Sequence, residues 1–340
     1  MKKIFIEILL AAIFIGLTSC IEDNITPPLT GDLNPVGEML IYFETQGDFV
    51  NTLSTPALVT AEEVNSNLSS YLIVDIRDND DFINGHIEGA VNILIDSLYD
   101  FVKSIDSASY PKIILISKNG QSSAYFTCLL RLSGLTNIYS LKYGMASWNQ
   151  VFAGEWINAL ADHPNIFLFT NDIFSKDSLT GFPEITFDNP GATISQRVEG
   201  RIVKIINEGF QYSQTLPAAF GNYIVCYGSG RLYFARNDYP LAGFGHQAGT
   251  VSYFDSPFFE FRSVKDLQTL PADQPIYIYD YDGQLSACMT AYFRVLGYNA
   301  KSIIFGGNQI FYSRMIGDPE LVDYAFTAED IQNYSYVTGN

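Results

Sequence analysis

Six short apolar runs mark the chain: YLIVDIR (71–77), KIILIS (112–117), NIYSL (137–141), NYIVCY (222–227), PIYIYD (275–280) and SIIF (302–305). Runs of this length with little polar alternation predict strands buried on both faces of a parallel sheet. Helical spacing separates them. TAEEVNSNL (60–68) opens on Thr60 with Glu63 three residues on, a capping-box start. After KIILIS, Ala124, Cys128, Leu132 and Leu135 fall on one stripe, with Gly134 near the helix end. A second such helix is predicted over 286–296, and ISQRVEGRIVKIINEGF (194–210) predicts another. Strand–helix alternation of this kind predicts an α/β fold, with helices on both faces of parallel sheets. Turn-rich punctuation in DHPNIF, SLTGFP and FDNPG marks residues 156–190 as a connector.

The pattern repeats. At an offset of 163, SKNGQSSAYFTCLLRLSGL (117–135) lies over DYDGQLSACMTAYFRVLGY (280–298) without a gap. Gly120/Gly283, Gln121/Gln284, Ser123/Ser286, Ala124/Ala287, Thr127/Thr290, Arg131/Arg294 and Gly134/Gly297 are identical. The same offset lays Tyr143–Gly144 over Gly306–Gly307, and GHIEG (85–89) matches GHQAG (245–249) at an offset of 160. A repeat of domain length means two copies of one fold. The copies are assigned to residues 53–155 and 191–325, followed by a tail over 326–340.

The first 19 residues differ in kind. Lys2 and Lys3 precede IFIEILLAAIFIGL, a stretch too short and too interrupted by Glu7 for a comfortable membrane span. They predict a secretory signal peptide. The following Leu-Thr-Ser-Cys (17–20) resembles the bacterial lipobox, which implies a lipidated Cys20 and stable anchoring by several acyl chains. The alternative is an ordinary cleaved signal with an incidental cysteine. Glu22 and Asp23 resemble the surface-export signal of Bacteroidota lipoproteins, and Ile21 is not the Asp of inner-membrane retention. The expected location is therefore the cell envelope, on either face of the outer membrane. Residues 20–52, with ITPPLTGDLNP, read as the lipidated Cys and a tether.

Composition narrows the partners. A hydrophobic fraction of 47% argues for packed cores, and a net charge of −18 argues against nucleic acid. Removing residues 1–19 takes away two lysines and one glutamate, moving the charge to about −19. Cys128, Cys226 and Cys288 sit in apolar contexts and read as buried core thiols. There is no CxxC, and His86, His163 and His246 are far apart, so no metal site is predicted.

VDIRDNDDFINGHIEGAVNI (74–93), LISKNGQSSA (115–124) and LRLSGLTNIYSLKYGMASW (130–148) together resemble a rhodanese domain. Asp75, Arg77, Gly85, His86, Gly89, Ala90, Gly120, Ser123, Gly144 and Trp148 fit the family's slots in order. The second copy resembles it more faintly, through Gly245, His246, Gly249, Gly283, Ser286, Gly306 and Gly307. The resemblance implies tandem rhodanese-like domains, each on a roughly five-stranded parallel sheet. In that family a Cys at the strand end takes up sulfane sulfur as a persulfide. Its thiolate is favoured by converging loop N–H groups.

Here the nucleophile slots hold Ser117 and Asp280, and the loop Arg slots hold Ser122 and Leu285. Neither oxygen side chain can store sulfur as a persulfide, and no base stands near Ser117 in sequence. The equivalent loops are Ser117, Lys118, Asn119, Gly120, Gln121, Ser122 and Ser123, and Asp280, Tyr281, Asp282, Gly283, Gln284, Leu285 and Ser286. The expectation is a binding or scaffold protein without catalytic residues or cofactor; the alternative is a sulfurtransferase using a displaced thiol. The first loop, with Lys118, would suit a small anion or a peptide carboxylate, or else is a solvated turn. In the second loop Asp280 and Asp282 should reject anions. His86 and His246 read as hydrogen-bonded turn residues. The Tyr-rich stretches 220–246 and 252–261 read equally as a partner or glycan surface and as an aromatic core with a hairpin.

Overall fold

A computed structural model of the chain describes residues 34–235, 245–255, 259–262 and 264–339. Residues 1–19, expected as a signal peptide, and Cys20 lie outside the described residues, as does the middle of the first Tyr-rich stretch.

Among the described residues two sheets form, each of five strands, all paired in parallel. The first holds β1 (Leu58–Val59), β2 (Leu72–Asp75), β3 (Val91–Asn92), β4 (Ile113–Ile116) and β5 (Ile138–Leu141), in the order β1-β5-β4-β2-β3. The second holds β6 (Tyr212–Ser213), β7 (Tyr223–Tyr227), β8 (Thr250–Tyr253), β9 (Ile276–Tyr279) and β10 (Ala300–Ile303), in the matching order β6-β10-β9-β7-β8. All four β4 residues are buried, as a continuous apolar run between two helical layers requires. The two-residue edge strands β1, β3 and β6 carry too little pattern to be seen in the sequence.

Helices, numbered in chain order, are α1 (Pro35–Thr45), α2 (Ala61–Ser66), α3 (Asn79–Asn84), α4 (Ile95–Ser104), α5 (Gln121–Leu132), α6 (Met145–Trp148), α7 (Gly154–Ala159) and α8 (Ile194–Glu208). In the second half they are α9 (Gly230–Tyr233), α10 (Val264–Leu267), α11 (Gln284–Val295), α12 (Gly307–Ile310) and α13 (Tyr312–Gly317). At α2, the Thr60 hydroxyl accepts from Glu63 N at 3.2 Å, as its spacing predicts.

Two expectations need correction, and the packing adds a third finding. The tether does not extend to residue 52. Helix α1 begins at Pro35, which suits a first helical position because its missing N–H has no partner there anyway. It buries Val36, Met39, Leu40 and Phe43 at helical spacing. The offset of 163 holds through β4 and α5, then drops by one. Ile113 pairs with Ile138, while Ile276 pairs with Ala300, so the connection after α11 is one residue shorter. Tyr143 and Gly144 therefore match Phe305 and Gly306, with φ of 62° and 59° against 60° and 49°. Finally, the two copies share their interior. Helices α5 and α11 make the most extensive helix–helix contact in the structure, and one apolar cluster joins Ile113, Leu115 and Cys128 to Ile276, Ile278 and Cys288. Residues Pro35–Asn340 accordingly form a single compact unit.

The segments following each copy cross over. Thr170, in the connector, bridges His246 of the second half, and Val337, in the tail, bridges His86 of the first. The tail also caps α6, with Trp148 Nε1 donating to Ser335 O at 2.8 Å and Tyr334 packed on the indole. Of the Tyr-rich segment, Tyr223, Tyr227, Tyr233, Tyr253 and Phe261 are core, which supports the aromatic-core alternative for those residues. Both strands within it, β7 and β8, pair in parallel; its central residues lie outside the described ones, so the hairpin is not among the described elements.

Candidate functional site

Each of the two matching loops begins where a buried strand, β4 or β9, runs into the first turn of a long helix. Gly120 at φ 86° and Gly283 at φ 87° make the turn, and their backbone positions demand glycine. Gly144 closes the first loop from the side. A Cβ there would lie 2.2 Å from Ser117 O and 2.6 Å from Gly120 N. Gly306 stands equally close to Asp280 O, at 2.4 Å. The spacing thus folds each loop into a nest of inward-facing N–H groups.

In the first loop the Ser117 hydroxyl fills that nest. Its Oγ accepts from Gly120 N at 3.1 Å and Ser123 N at 3.3 Å, and lies 2.9 Å from Ser123 Oγ. Ser123 Oγ continues to Ser140 Oγ at 2.7 Å. Ser117 is 2% exposed, and this chain of hydroxyls contains no base. Lys118 is tied to Asp81 at 2.7 Å, which raises the pKa of its ammonium. Asn119 Oδ1 accepts from Gln121 N, and Asn119 O from Trp156 Nε1 at 3.0 Å. Ser122 faces the cleft above the loop.

A carboxylate fills the second nest. Asp280 Oδ1 accepts from Gly283 N at 2.7 Å and Oδ2 from Leu285 N at 3.0 Å. Asp282 accepts from Gln284 N at 3.0 Å and Gln284 Nε2 at 2.9 Å. Burial first, then the neighbouring Asp282, pushes the Asp280 carboxyl up to about 7; burial also raises Asp282. The sequence predicted simple repulsion of anions here. The geometry differs: the anion-binding groups already hold the protein's own carboxylate. Ser286 repeats the role of Ser123, pairing with Ser302 at 2.9 Å. Tyr281 O accepts from Asn308 Nδ2.

The Asp-x-Arg strand end is structural. Arg77 Nη2 meets Asp75 Oδ2 at 2.6 Å and donates to Gly85 O at 2.7 Å, tying the tip of β2 to the next turn. His86 stacks on Phe82 and its Nδ1 lies 2.9 Å from Phe82 O; His246 does the same with Tyr233. Both are hydrogen-bonded, as read from the sequence, but each sits in a bridge to a crossing segment just before the turn rather than in the turn itself. Gly89 is needed for its φ of 80°, having open space around it. Arg314, which the sequence left unread, donates to Gly245 O at 2.6 Å and so takes over in the second half what Arg77 does in the first.

Two further features escaped sequence reasoning. Gln121 Oε1 accepts from Phe305 N at 2.8 Å, and Gln284 Oε1 accepts from Tyr143 N at 2.9 Å. Repeat-equivalent glutamines thus clamp each other's half, and their identity at matching positions was the available signal. Above each loop lies a cleft completed by the other half. The first, of about 620 Å³, includes Ser117, Lys118 and Ser122 with Phe210, Tyr212 and Phe305. The second, of about 450 Å³, includes Asp280, Asp282 and Leu285 with Val50, Leu58 and Lys142. Cys128, Cys226 and Cys288 are fully buried and line neither; burial pushes the Cys226 thiol up to about 12 and raises that of Cys288 well above the ordinary thiol range.

The chain thus carries one architecture twice, a five-stranded parallel sheet with an N–H nest at one strand tip. Residues 60–151 match the rhodanese-like domain family. The thiosulfate sulfurtransferase GlpE of Shewanella oneidensis is 34% identical over 84 residues, covering 25% of this chain and 81% of that protein. GlpE of Ectopseudomonas mendocina is 34% identical over 95 residues, covering 28% and 84%. Among solved structures, a rhodanese-related protein of Thermoplasma volcanium is 26% identical, covering 29% of this chain and 92% of its own, with a TM-score of 0.25. The chain belongs to the rhodanese family.

Proposed function

We propose that the protein is a rhodanese-like binding or scaffold protein without sulfurtransferase turnover, held in the cell envelope by lipid on Cys20. One observation carries the first part: at both strand tips the converging N–H groups close on an oxygen of the chain itself, Ser117 Oγ or the Asp280 carboxylate. Sulfur transfer needs a thiolate there to attack the donor and carry the persulfide. A hydroxyl or carboxylate does neither. The displaced-thiol alternative would need Cys128, Cys226 or Cys288 to leave a fully buried position. The anchoring rests on Leu-Thr-Ser-Cys at 17–20.

The first cleft is where a small anion or peptide carboxylate would bind, beside Lys118 and Ser122. A thiosulfate–cyanide assay on the chain from Ile21 tests the silent-loop reading. No turnover above the protein-free rate is expected, and turnover that persists with all three cysteines replaced by serine would overturn it. Membrane fractionation of Cys20→Ala tests the anchor: the variant should be released to the soluble fraction or remain as an uncleaved precursor, without incorporated acyl label.

A further inference from the structure

The first cleft is larger than the loop it covers. At about 620 Å³ it lies in the range of organic ligand sites, with room well beyond a small anion beside Lys118. The cations that border it are already held, Arg77 by Asp75 at 2.6 Å and Lys118 by Asp81 at 2.7 Å. The rest of the cleft offers an aromatic face and uncommitted hydrogen-bonding groups.

The face comes from the second half. Phe210, Tyr212 and Gln214 alternate along the chain at β6, so their side chains fall on one side of the strand, and all three line the cleft. The Tyr212 ring stacks on Phe210 with centroids 5.2 Å apart and planes 28° from parallel, and the buried Tyr125 packs on Phe210 at 5.2 Å. Tyr212 itself is 45% exposed. An exposed ring braced in this way is a fixed platform, which costs little to order on binding.

The polar groups come from both halves. Among the described residues the exposed carboxamides of Asn158 and Gln214 have no hydrogen-bond partner. Glu155, beside Asn158 on α7, accepts from Asn119 Nδ2 at 3.0 Å through Oε2 and keeps Oε1 open. Gln309, on α12, has a buried Oε1 without a partner. A buried acceptor left unpaired costs stability unless something supplies a donor. Carboxamides donate and accept at once, whereas Glu155 and Gln309 Oε1 only accept. The cleft therefore suits a ligand with several groups that donate and accept, set beside an apolar face. Sugar hydroxyls do both, and the weakly positive C–H face of a sugar ring fits the negative face of an aromatic ring. A peptide supplies one backbone N–H per residue and meets this acceptor set less well. We propose that the first cleft binds a neutral oligosaccharide, with one sugar ring on Tyr212 and its hydroxyls shared among Asn158, Gln214, Glu155 and Gln309. The site goes beyond the anion reading of the loop, since it uses the walls built by β6, α7 and α12 rather than Lys118 and Ser122.

The test is calorimetric titration of maltotriose, cellotriose and mannotriose into the full chain, solubilised in a zwitterionic detergent so that no sugar head group competes. At least one trisaccharide should bind with a dissociation constant of about 1 mM or below. For that sugar, Tyr212→Ala should weaken binding at least about tenfold and Tyr212→Phe less than about twofold, because the ring rather than its hydroxyl makes the stack. Gln309→Leu should weaken it about fivefold without lowering the melting temperature. Binding of none of the three, affinity untouched by Tyr212→Ala, or tighter binding of the neutral peptide N-acetyl-trialanine amide than of any sugar would overturn the proposal. Sodium acetate separates the two readings of the cleft, since its binding should depend on Lys118 and not on Tyr212. Sugar binding without acetate binding would defeat the anion reading and leave this one standing; acetate binding without sugar binding would do the reverse.

Discussion

Ser117 and Asp280 occupy the same point of the same backbone, and each loop N–H nest is filled by what that residue offers. A hydroxyl answers two N–H groups without charge and leaves the first cleft with Arg77 and Lys118 set against Asp78 and Glu155. A carboxylate answers two N–H groups with a charge that burial and Asp282 both penalise. The second cleft consequently gathers acid where the first is balanced. The lesson is that a nest of N–H groups is satisfied by any oxygen acceptor of the right reach, so one backbone holds a hydroxyl in one half and a carboxylate in the other.

The sharpest way to separate the halves is by pH. An unfolded aspartate releases its proton near 4, whereas Asp280 in the fold holds its proton until about 7. The folded state therefore binds the extra proton across that window, and stability should fall as pH rises through it, levelling off above. At about 1.4 kcal/mol per unit of displacement, the upper bound is about 4 kcal/mol. Asp280→Ser, which copies the first half, should flatten the decline in urea midpoints between pH 4 and pH 8. An unchanged slope would show that Asp280 is not the titrating group.

Next in size are the glycines that close the loops. Gly144→Ala and Gly306→Ala each force a Cβ into a left-handed conformation and against backbone atoms, and each should cost about 3 kcal/mol in chemical denaturation. Losses differing by more than about 1 kcal/mol would break the equivalence of the loops. Gln121→Leu and Gln284→Leu leave Phe305 N or Tyr143 N buried without its partner, for about 1–3 kcal/mol apiece. Because the two glutamines face each other's loops, the double variant should deviate from additivity, which a double-mutant cycle reads.

The smallest effect on stability and the most telling on chemistry comes from installing sulfur. Ser117→Cys should alter the melting temperature little. Its thiol, met by Gly120 N and Ser123 N, should alkylate with iodoacetamide about tenfold faster than that of Asp280→Cys, which faces the Asp282 carboxylate. Equal rates would mean that the nests no longer differ electrostatically.

Much of this was legible along the chain. The buried strands at the centre of each sheet are unbroken apolar runs, and the loops with their helices align without a gap from Gly120/Gly283 to Gly134/Gly297, seven positions being identical. The edges were not. A strand of two residues such as Val91–Asn92 has no period to detect, and Pro35 with Gly37 disguised α1 as tether. The one-residue shortening before β10 was hidden because both alignments place a glycine near the right position.

The sequence by itself determined the fold, the doubling and the oxygen side chains of Ser117 and Asp280 at the two strand tips, because those are properties of local pattern and of single positions. Tertiary structure alone decided what fills each nest, that the halves share one interior, and that the connector and tail each pair with the opposite copy. It also assembled the second cleft from Val50, Lys142, Tyr227, Asp255, Asp282 and Tyr324, residues scattered over six segments. Pattern reports which face of an element is apolar; only packing reports which faces meet.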